Sequence, residues 1–282
     1  MTSPVAAAEQ ALQQGQLDEA LQCLQDGVRA KPSDVKLRIF LFQLLCVKGQ
    51  WGRALNQLKV CGEMDASTLP MVNTYREAIQ CEAVREAVFK GQTTPIVMGQ
   101  PQLWVAHLVE ALMAEARGDA QLAAHLRNQA MEAAPATSGT LNGEAFGWIA
   151  DADSRLGPVL EVIVNGRYSW VPFACLAKVT FDEPTDLRDM VWTPASLEFP
   201  HGGATVALVP TRYAPMPEGA SPLLQLSRLT EWEALGEQQH FRGLGQRLLT
   251  TDTAEVGVLE ARELVLDVVD LSPADEVDQA EA

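Results

Sequence analysis

Cysteine, aromatic residues and positive charge are all sparse in this 282-residue chain, and each shortage excludes a class of protein. The five cysteines are odd in number and include no Cys-x-x-Cys pair, so neither a disulfide framework nor a zinc site is indicated. Aromatic residues make up 6% of the chain. The chain has 21 basic and 37 acidic side chains, which gives a net charge of −16. Most of such a surface repels polyanions, so we expect neither nucleic acid nor an anionic membrane as a partner.

Long apolar runs are missing as well. The longest strongly apolar window, residues 39–47, is too short to span a bilayer. The segment Met1–Ala7 lacks the basic and apolar regions of a signal peptide, so we expect a cytoplasmic protein. What the chain does have is a globular composition with 47% hydrophobic residues, over a length that suits two domains of ordinary size.

A repeat of 34 residues organises the first half. The segment Gly15–Leu24 recurs as Gly49–Leu58, and a third partial copy begins at Gly118. Thirty-four residues is the tetratricopeptide period, in which two helices form each unit. The glycine ends the first helix of a pair, and a small alanine (Ala20, Ala54) lets the second helix approach closely.

Helical periodicity continues through this half. It predicts helices over 5–14, 17–30, 34–48, 51–62, 68–89, 102–117 and 119–133, with a loop at 91–101. The helix from Val35 to Val47 is apolar nearly all the way round, so it must be covered on several sides. Neighbouring repeats provide that cover in one interpretation, and a partner helix in a groove provides it in the other.

Strand patterns begin after the turn residues 135–139. The runs Val159–Val164 and Arg167–Val171 flank Asn165-Gly166, which predicts a hairpin with a type I′ turn. Further strands are expected near 174–181, 189–199, 204–212, 246–250 and 257–268, and a helical stretch near 223–229. The predicted fold class is α+β: tetratricopeptide-like helical repeats over 1–135, a β-rich domain over 140–269 and an acidic, disordered tail over 270–282.

Residues that would indicate catalysis are isolated. The four histidines lack a second ligand at metal spacing, and no phosphate-binding or nucleophile-elbow motif occurs. The glycine-containing segment 243–247 is interpreted as a turn. The richest polar cluster is Asp151, Asp153 and Arg155, which forms either a structural ion-pair network or a small-molecule-binding or hydrolytic site. We expect a non-enzymatic protein with no catalytic residue, metal or cofactor, and keep this cluster as the alternative.

Five stretches of the second half combine glycine, aromatic and charged residues: Phe146–Glu161, Gly166–Pro172, Leu187–Ala195, Val209–Tyr213 and Gly245–Leu249. They resemble the ImpE/SciE family, the TagJ-type accessory proteins of type VI secretion systems in Gram-negative bacteria. The resemblance implies a cytoplasmic accessory that binds the N-terminal helical segment of the small contractile-sheath subunit, TssB/VipA. It also implies an indirect link to the ClpV ATPase and a role in sheath assembly or recycling. Tetratricopeptide arrays commonly bind peptide segments, which agrees with this expectation.

Tryptophan, tyrosine and arginine are the usual anchors of protein interfaces, so we expect such residues of the second half to hold the partner. The candidates are Arg155, Arg188, Trp192, Tyr213 and Trp232. The competing interpretation is that Trp148, Trp170 and Trp192 fill the core of the β-rich domain.

Overall fold

Helices fill the first half of the chain and strands the second, which confirms the α+β fold class. The computed structural model describes residues 3–100, 102–236 and 240–267. The α-helices are α1 (Pro4–Gln13), α2 (Leu17–Ala30), α3 (Val35–Val47), α4 (Trp51–Met64), α5 (Leu69–Phe89), α6 (Leu103–Ala116), α7 (Ala120–Ala133) and α8 (Pro222–Gln225). Across the described ranges, no helix is both long and apolar enough for a membrane span.

Three helix pairs, α1–α2, α3–α4 and α6–α7, follow the predicted repeat. Each first helix ends at a glycine with positive φ, 73° at Gly15, 65° at Gly49 and 80° at Gly118. The N–H groups of this glycine and of the next residue bond back to carbonyls of the helix end, which is the Schellman motif. Five positions after the glycines lie fully buried alanines: Ala20, Ala54 and Ala123. The paired helices therefore approach closely for the reason that the sequence pattern indicates.

The segment after α5 corrects one prediction. Residues 91–101 are expected to form a loop, but Ile96–Val97 form a short strand, β1, which pairs in parallel with Ser169 and Trp170. Sequence propensity alone does not reveal this strand because its hydrogen-bond partners lie more than 70 residues away at a sheet edge. The helical half thus contributes a strand to the sheet of the second half.

The remaining strands belong to three sheets. They are β2 (Gly139–Leu141), β3 (Glu144–Phe146), β4 (Ile149–Asp151), β5 (Val159–Val164), β6 (Arg167–Pro172), β7 (Lys178–Phe181), β8 (Trp192–Glu198), β9 (Ala204–Pro210), β10 (Thr230–Ala234), β11 (Phe241–Gly245), β12 (Leu248–Thr251), β13 (Glu255–Gly257) and β14 (Glu263–Leu266). The main sheet has nine strands in the order β1-β6-β5-β9-β8-β7-β14-β2-β3. Beside it lie a β13-β12-β4 sheet and a two-stranded β10-β11 ribbon.

Strand β5 shows how the two halves meet. All six of its residues are buried, because both faces of the sheet are covered. Val159 and Ile163 join the apolar cluster of the helices, whereas Leu160, Val162 and Val164 join a second cluster inside the β-rich half. One apolar cluster therefore includes side chains from both halves.

The predicted hairpin is confirmed. Strands β5 and β6 pair in antiparallel register, and both turn residues have positive φ, 50° at Asn165 and 69° at Gly166. This is the conformation that a type I′ turn requires.

The predicted helices of the first half are confirmed to within two residues at each end. In the second half, the region near 257–268 holds the end of β13 and all of β14, and strands β2, β3, β4 and β10 are not predicted. The predicted strands near 174–181 and 189–199 begin with 3₁₀ turns, at Phe173–Cys175 and Leu187–Met190. The interpretation of 243–247 as a turn is wrong for residues 243–245, which belong to β11. Glycine at 243 reflects close packing instead, because a Cβ there would lie 2.2 Å from the Tyr213 ring.

The predicted domain boundary lies between the last helix of the first half and the first strand of the second. Helix α7 ends at Ala133 and β2 begins at Gly139. The division into domains at 1–135 and 140–269 stays a prediction, and the tail over 270–282 lies outside the described residues.

Two glycines with free space around them, Gly49 and Gly52, test whether positive φ at the helix end is what requires glycine. Gly49 has φ of +65° and Gly52 lies inside α4, and neither has a neighbouring atom within 4 Å of an added Cβ. We expect Gly49→Ala to lower the free energy of unfolding by about 1–2 kcal/mol because of the left-handed backbone. Gly52→Ala should raise it by about 0.5–1 kcal/mol. Urea unfolding of both variants checks this, and equal effects of the same sign would contradict it.

Candidate functional site

A buried carboxylate joins the helical half to the sheet. Glu161 of β5 is completely buried and accepts two hydrogen bonds from Arg85 of α5, at 2.7 Å from Nε and 3.0 Å from Nη2. Arg247 and the Tyr168 hydroxyl also donate to this carboxylate. Although burial favours the neutral acid, Arg247 and Arg85 hold the pKa of Glu161 well below its usual range.

The cluster found in the sequence, Asp151, Asp153 and Arg155, belongs to the same buried region. Their exposed fractions are 3%, 0% and 2%. Asp153 accepts two bonds from Arg155 Nε, at 2.9 and 3.1 Å, and Asp151 pairs with Arg247. The three residues therefore form part of an ion-pair network, as the structural interpretation of this cluster expects.

Asp151 differs from Glu161 in its charge balance. Burial raises the pKa of Asp151 to about 7, and the nearby carboxylates of Asp153 and Glu161 act in the same direction. Arg247 opposes the shift, but it is shared with Glu161, which Arg85 also neutralises. A proton on Asp151 therefore titrates near neutral pH in the folded protein.

A second buried arginine fastens α3 to the β-rich half. Arg212 donates to the carbonyl oxygens of Cys46 and Val47 at 3.0 and 2.7 Å, and to that of Gln225 at 2.6 Å. Burial lowers the pKa of Arg212 to about 10. A cation at these carbonyls suits the C-terminal end of a helix, where carbonyl groups lack partners within the helix.

The predicted partner-binding residues do not form one surface. Trp192 is fully buried and donates from Nε1 to Glu82 at 2.8 Å, while Tyr213 is 2% exposed and Arg155 stacks on Phe89. These three contact other parts of the chain and are closed to a partner in this conformation. Whether any of the five contacts a partner stays a prediction.

Arg188 and Trp232 are the two accessible candidates, and they lie in different places. The Arg188 guanidinium stacks over the Tyr75 ring at 4.7 Å and pairs with Asp186. Trp232 is 39% exposed on β10, with its ring 5.7 Å from that of Tyr213. The core interpretation holds for Trp170 and Trp192, which are fully buried, but not for Trp148, which is 42% exposed.

Sequence reasoning missed the centre of the network, Arg85, Glu161, Arg212 and Arg247. The available signal was Glu161 itself, a charged residue in the middle of the otherwise apolar run Val159–Val164. A charge inside a buried strand requires a buried partner of opposite sign. Nothing in one sequence indicates that Arg85, 76 residues earlier, is that partner.

An apolar groove of about 510 Å³ runs between α5 and the main sheet. Met71 and Tyr75 form its helical wall, and Ile163, Val206 and Leu208 form its floor. Val206 is 79% exposed, the largest exposed fraction among the large hydrophobic residues that the structure describes. Arg188 lies at the rim, so one predicted partner-binding residue belongs to this groove.

A smaller cleft of about 380 Å³ lies between the α3–α4 turn and residues 213–219. Its charged lining includes Glu82, Arg85 and Arg212. Each of these already bonds to another part of the chain. The cleft thus opens onto the ion network, whereas the groove presents apolar side chains.

The fold and the junction define a two-part protein in which paired helices are held on a β-sheet by buried ion pairs, with an apolar groove beside the joint. The sequence profile of the ImpE protein family matches residues 143–265. The chain is also 52% identical over 268 residues to the type VI secretion system accessory component TagJ of Pseudomonas aeruginosa, covering 95% of this chain and 92% of that protein. The chain belongs to the ImpE family.

The fold has also been seen in a crystal structure. Protein VPA1032 of Vibrio parahaemolyticus superimposes with a TM-score of 0.84 over 92% of this chain and 97% of that one. The two are 24% identical, so the likeness concerns the fold alone.

The network predicts a large effect from one arginine. We expect Arg85→Met to lower the free energy of unfolding by about 3–5 kcal/mol, because it removes a partner of the buried Glu161 carboxylate. Arg76 is exposed on the same helix and donates to Asn73 within it, so Arg76→Met should change stability by less than about 0.5 kcal/mol. Denaturant unfolding compares the two, and equal losses would contradict a central role for the network.

Asp151 predicts a dependence on pH. Its pKa is about 7 in the folded protein and about 4 when unfolded, so only the folded state keeps this proton between those values. Its contribution to stability therefore falls as pH rises through that window, by at most about 1.4 kcal/mol per pH unit. Asp151→Asn removes this fall, so the stability of the variant relative to the parent should increase from pH 5 to pH 8. A difference that stays constant over these pH values, measured by urea unfolding, would contradict the shift.

Proposed function

We propose that this chain is a non-enzymatic, cytoplasmic adaptor of the type VI secretion system. It binds the N-terminal helical segment of the small sheath subunit, TssB/VipA, and assists sheath assembly or recycling, with an indirect link to ClpV. The observation that carries the proposal is the apolar groove between α5 and the sheet, in a chain 52% identical to a type VI secretion accessory component.

The chemistry of the groove fits one face of an amphipathic helix. Such a helix presents apolar anchors at i, i+3, i+4 and i+7. Met71, Ile163, Val206 and Leu208 give these anchors an apolar lining. Covering the exposed Val206 side chain removes apolar surface from water, at roughly 25 cal/mol per Å².

The groove has charged groups at its edges that can orient the guest. Glu77 and Asp182 are acidic, and Arg188 is basic. A guest helix with basic residues beside the first two and an acidic residue beside Arg188 binds in one direction, because the reversed helix places like charges together.

The enzyme alternative has less support. Asp151, Asp153 and Arg155 are buried and bonded to each other or to Arg247, and none of them lines the groove or the cleft. A substrate would have to open the junction to reach them. The geometry therefore favours the adaptor.

Calorimetric titration with a peptide of the cognate TssB/VipA N-terminal segment tests the proposal. We expect saturable one-to-one binding that Val206→Glu weakens tenfold or more, because a charge would enter the apolar floor. Leu103→Glu is the matched control, since Leu103 is 75% exposed on α6 outside the groove. Both positions are exposed enough for the fold to tolerate the change.

Two further variants and two alternative outcomes are informative. Arg188→Ala should weaken the peptide without unfolding the protein, whereas Trp192→Ala is expected to destabilise the fold by about 3–5 kcal/mol and is no test of contact. If Val206→Glu leaves the peptide affinity unchanged, the binding site lies on the helical repeats instead of in the groove. Absence of binding by the parent protein would remove the sheath role.

A further inference from the structure

The β10–β11 ribbon has an open edge. Strand β11 pairs with β10 on one side over five residue pairs, from Thr230 opposite Gly245 to Ala234 opposite Phe241. Within the described residues no strand pairs with the other side of β10. Four of the five β10 residues are exposed. Its last two residues, Glu233 and Ala234, line an open cleft whose other wall is formed by α6 and α7.

The outward backbone groups follow from the ladder. Beyond its two ends, Leu235 N–H donates to the His240 carbonyl at 2.8 Å and Gln246 N–H donates to the Leu229 carbonyl at 3.0 Å. Bonded pairs alternate along antiparallel strands, so Glu231 and Glu233 also bond towards β11. The N–H and C=O groups of the intervening residues, Thr230, Trp232 and Ala234, therefore point outward. Over the described ranges, no other backbone group bonds to them.

The side chains give this edge two chemically distinct faces. On one face, Glu231 and Glu233 lie two residues apart, and Arg242 pairs with Glu233. On the other face, Trp232 is 39% and Phe241 is 43% exposed. An added strand would meet carboxylates on one side and aromatic rings on the other.

Charge argues against a second copy of this chain as the occupant. Pairing β10 with itself around Trp232 would place Glu231 of one copy opposite Glu233 of the other, on the same face. Like charges directly opposite each other destabilise a strand pair. A guest strand with lysine or arginine opposite Glu231 and Glu233 forms attractive cross-strand ion pairs instead.

We propose that the β10 edge accepts an extended segment of a partner protein as an added strand. The segment carries basic side chains towards Glu231 and Glu233 and apolar side chains towards Trp232 and Phe241. Its main-chain groups bond to those of Thr230, Trp232 and Ala234, and the alternation of its side chains gives specificity. No β10 residue lines the groove proposed for the helical guest, so separate variants test the two sites.

The test uses the full chain and the capped peptide Thr-Lys-Val-Lys-Val-Lys-Thr, with a second peptide carrying Glu for each Lys. In an NMR titration, the basic peptide should bind at least tenfold more tightly than the acidic one. Hydrogen exchange at the amides of Thr230, Trp232 and Ala234 should slow on binding, because these N–H groups become hydrogen-bonded.

A matched pair of variants isolates the backbone contact. Ala234→Pro removes an outward N–H while leaving the bonds to β11, and Ala234→Val keeps the N–H. We expect Ala234→Pro to weaken the basic peptide tenfold or more and Ala234→Val to change it less than twofold. Glu231→Lys should also weaken it, without any change in backbone pairing.

Several results would overturn the proposal. They are no binding of the basic peptide, equal binding of both peptides, or equal binding by Ala234→Pro and Ala234→Val. A dimer of the parent protein that dissociates in Ala234→Pro, seen by sedimentation, would make a second copy the occupant instead. Loss of the TssB/VipA peptide in Val206→Glu leaves these results unaffected, so the two sites are tested separately.

Discussion

The position of helix α5 depends on the charge of Glu161. A carboxylate enclosed by apolar strands is costly unless opposite charges reach it, and removing one partner of a buried pair costs about 3–5 kcal/mol. Arg85 reaches it from α5, and Arg247 reaches it from the position just before β12. Because a shift of α5 would leave these buried charges without partners, the network constrains how the helices sit on the sheet.

The proposed binding groove shares helix α5 with this network. Met71 and Tyr75 of α5 form one wall of the groove, and Arg85 of the same helix bonds to Glu161. Arg212 has a comparable effect on α3, whose C-terminal carbonyls it binds. A substitution in this network is therefore expected to change the proposed partner binding through the fold. Loss of binding in an Arg155 or Trp192 variant consequently carries no information about contact unless stability is measured too.

Local patterns predicted most of the architecture. They also contain a signal that was missed, the Asn142-Gly143 turn of the β2–β3 hairpin, whereas other omissions depend on contacts between distant residues. The helix pairs follow from glycine at the left-handed helix ends and alanine at the close approach, and the hairpin follows from Asn165-Gly166. Strand β1 and the Arg85–Glu161 pair depend on partners more than 70 residues away, which periodicity does not encode. Trp192 and Tyr213 are residue types that often anchor interfaces, which is why they were proposed to bind the partner. Their large, amphipathic side chains are equally suited to a buried junction, and both are buried here.

The groove and the β10 edge differ in how they would distinguish partners. The groove offers apolar area and recognises a guest that is already helical, so its affinity depends on the apolar anchors of that helix. The edge offers main-chain groups that any extended segment can use, so its selectivity must come from Glu231 and Glu233. A net charge of −16 attracts basic segments to both surfaces, but only at the edge do carboxylates flank every outward backbone group. Salt should therefore weaken a guest at the edge more than a guest in the groove, because screening acts on the exposed carboxylates and not on apolar burial.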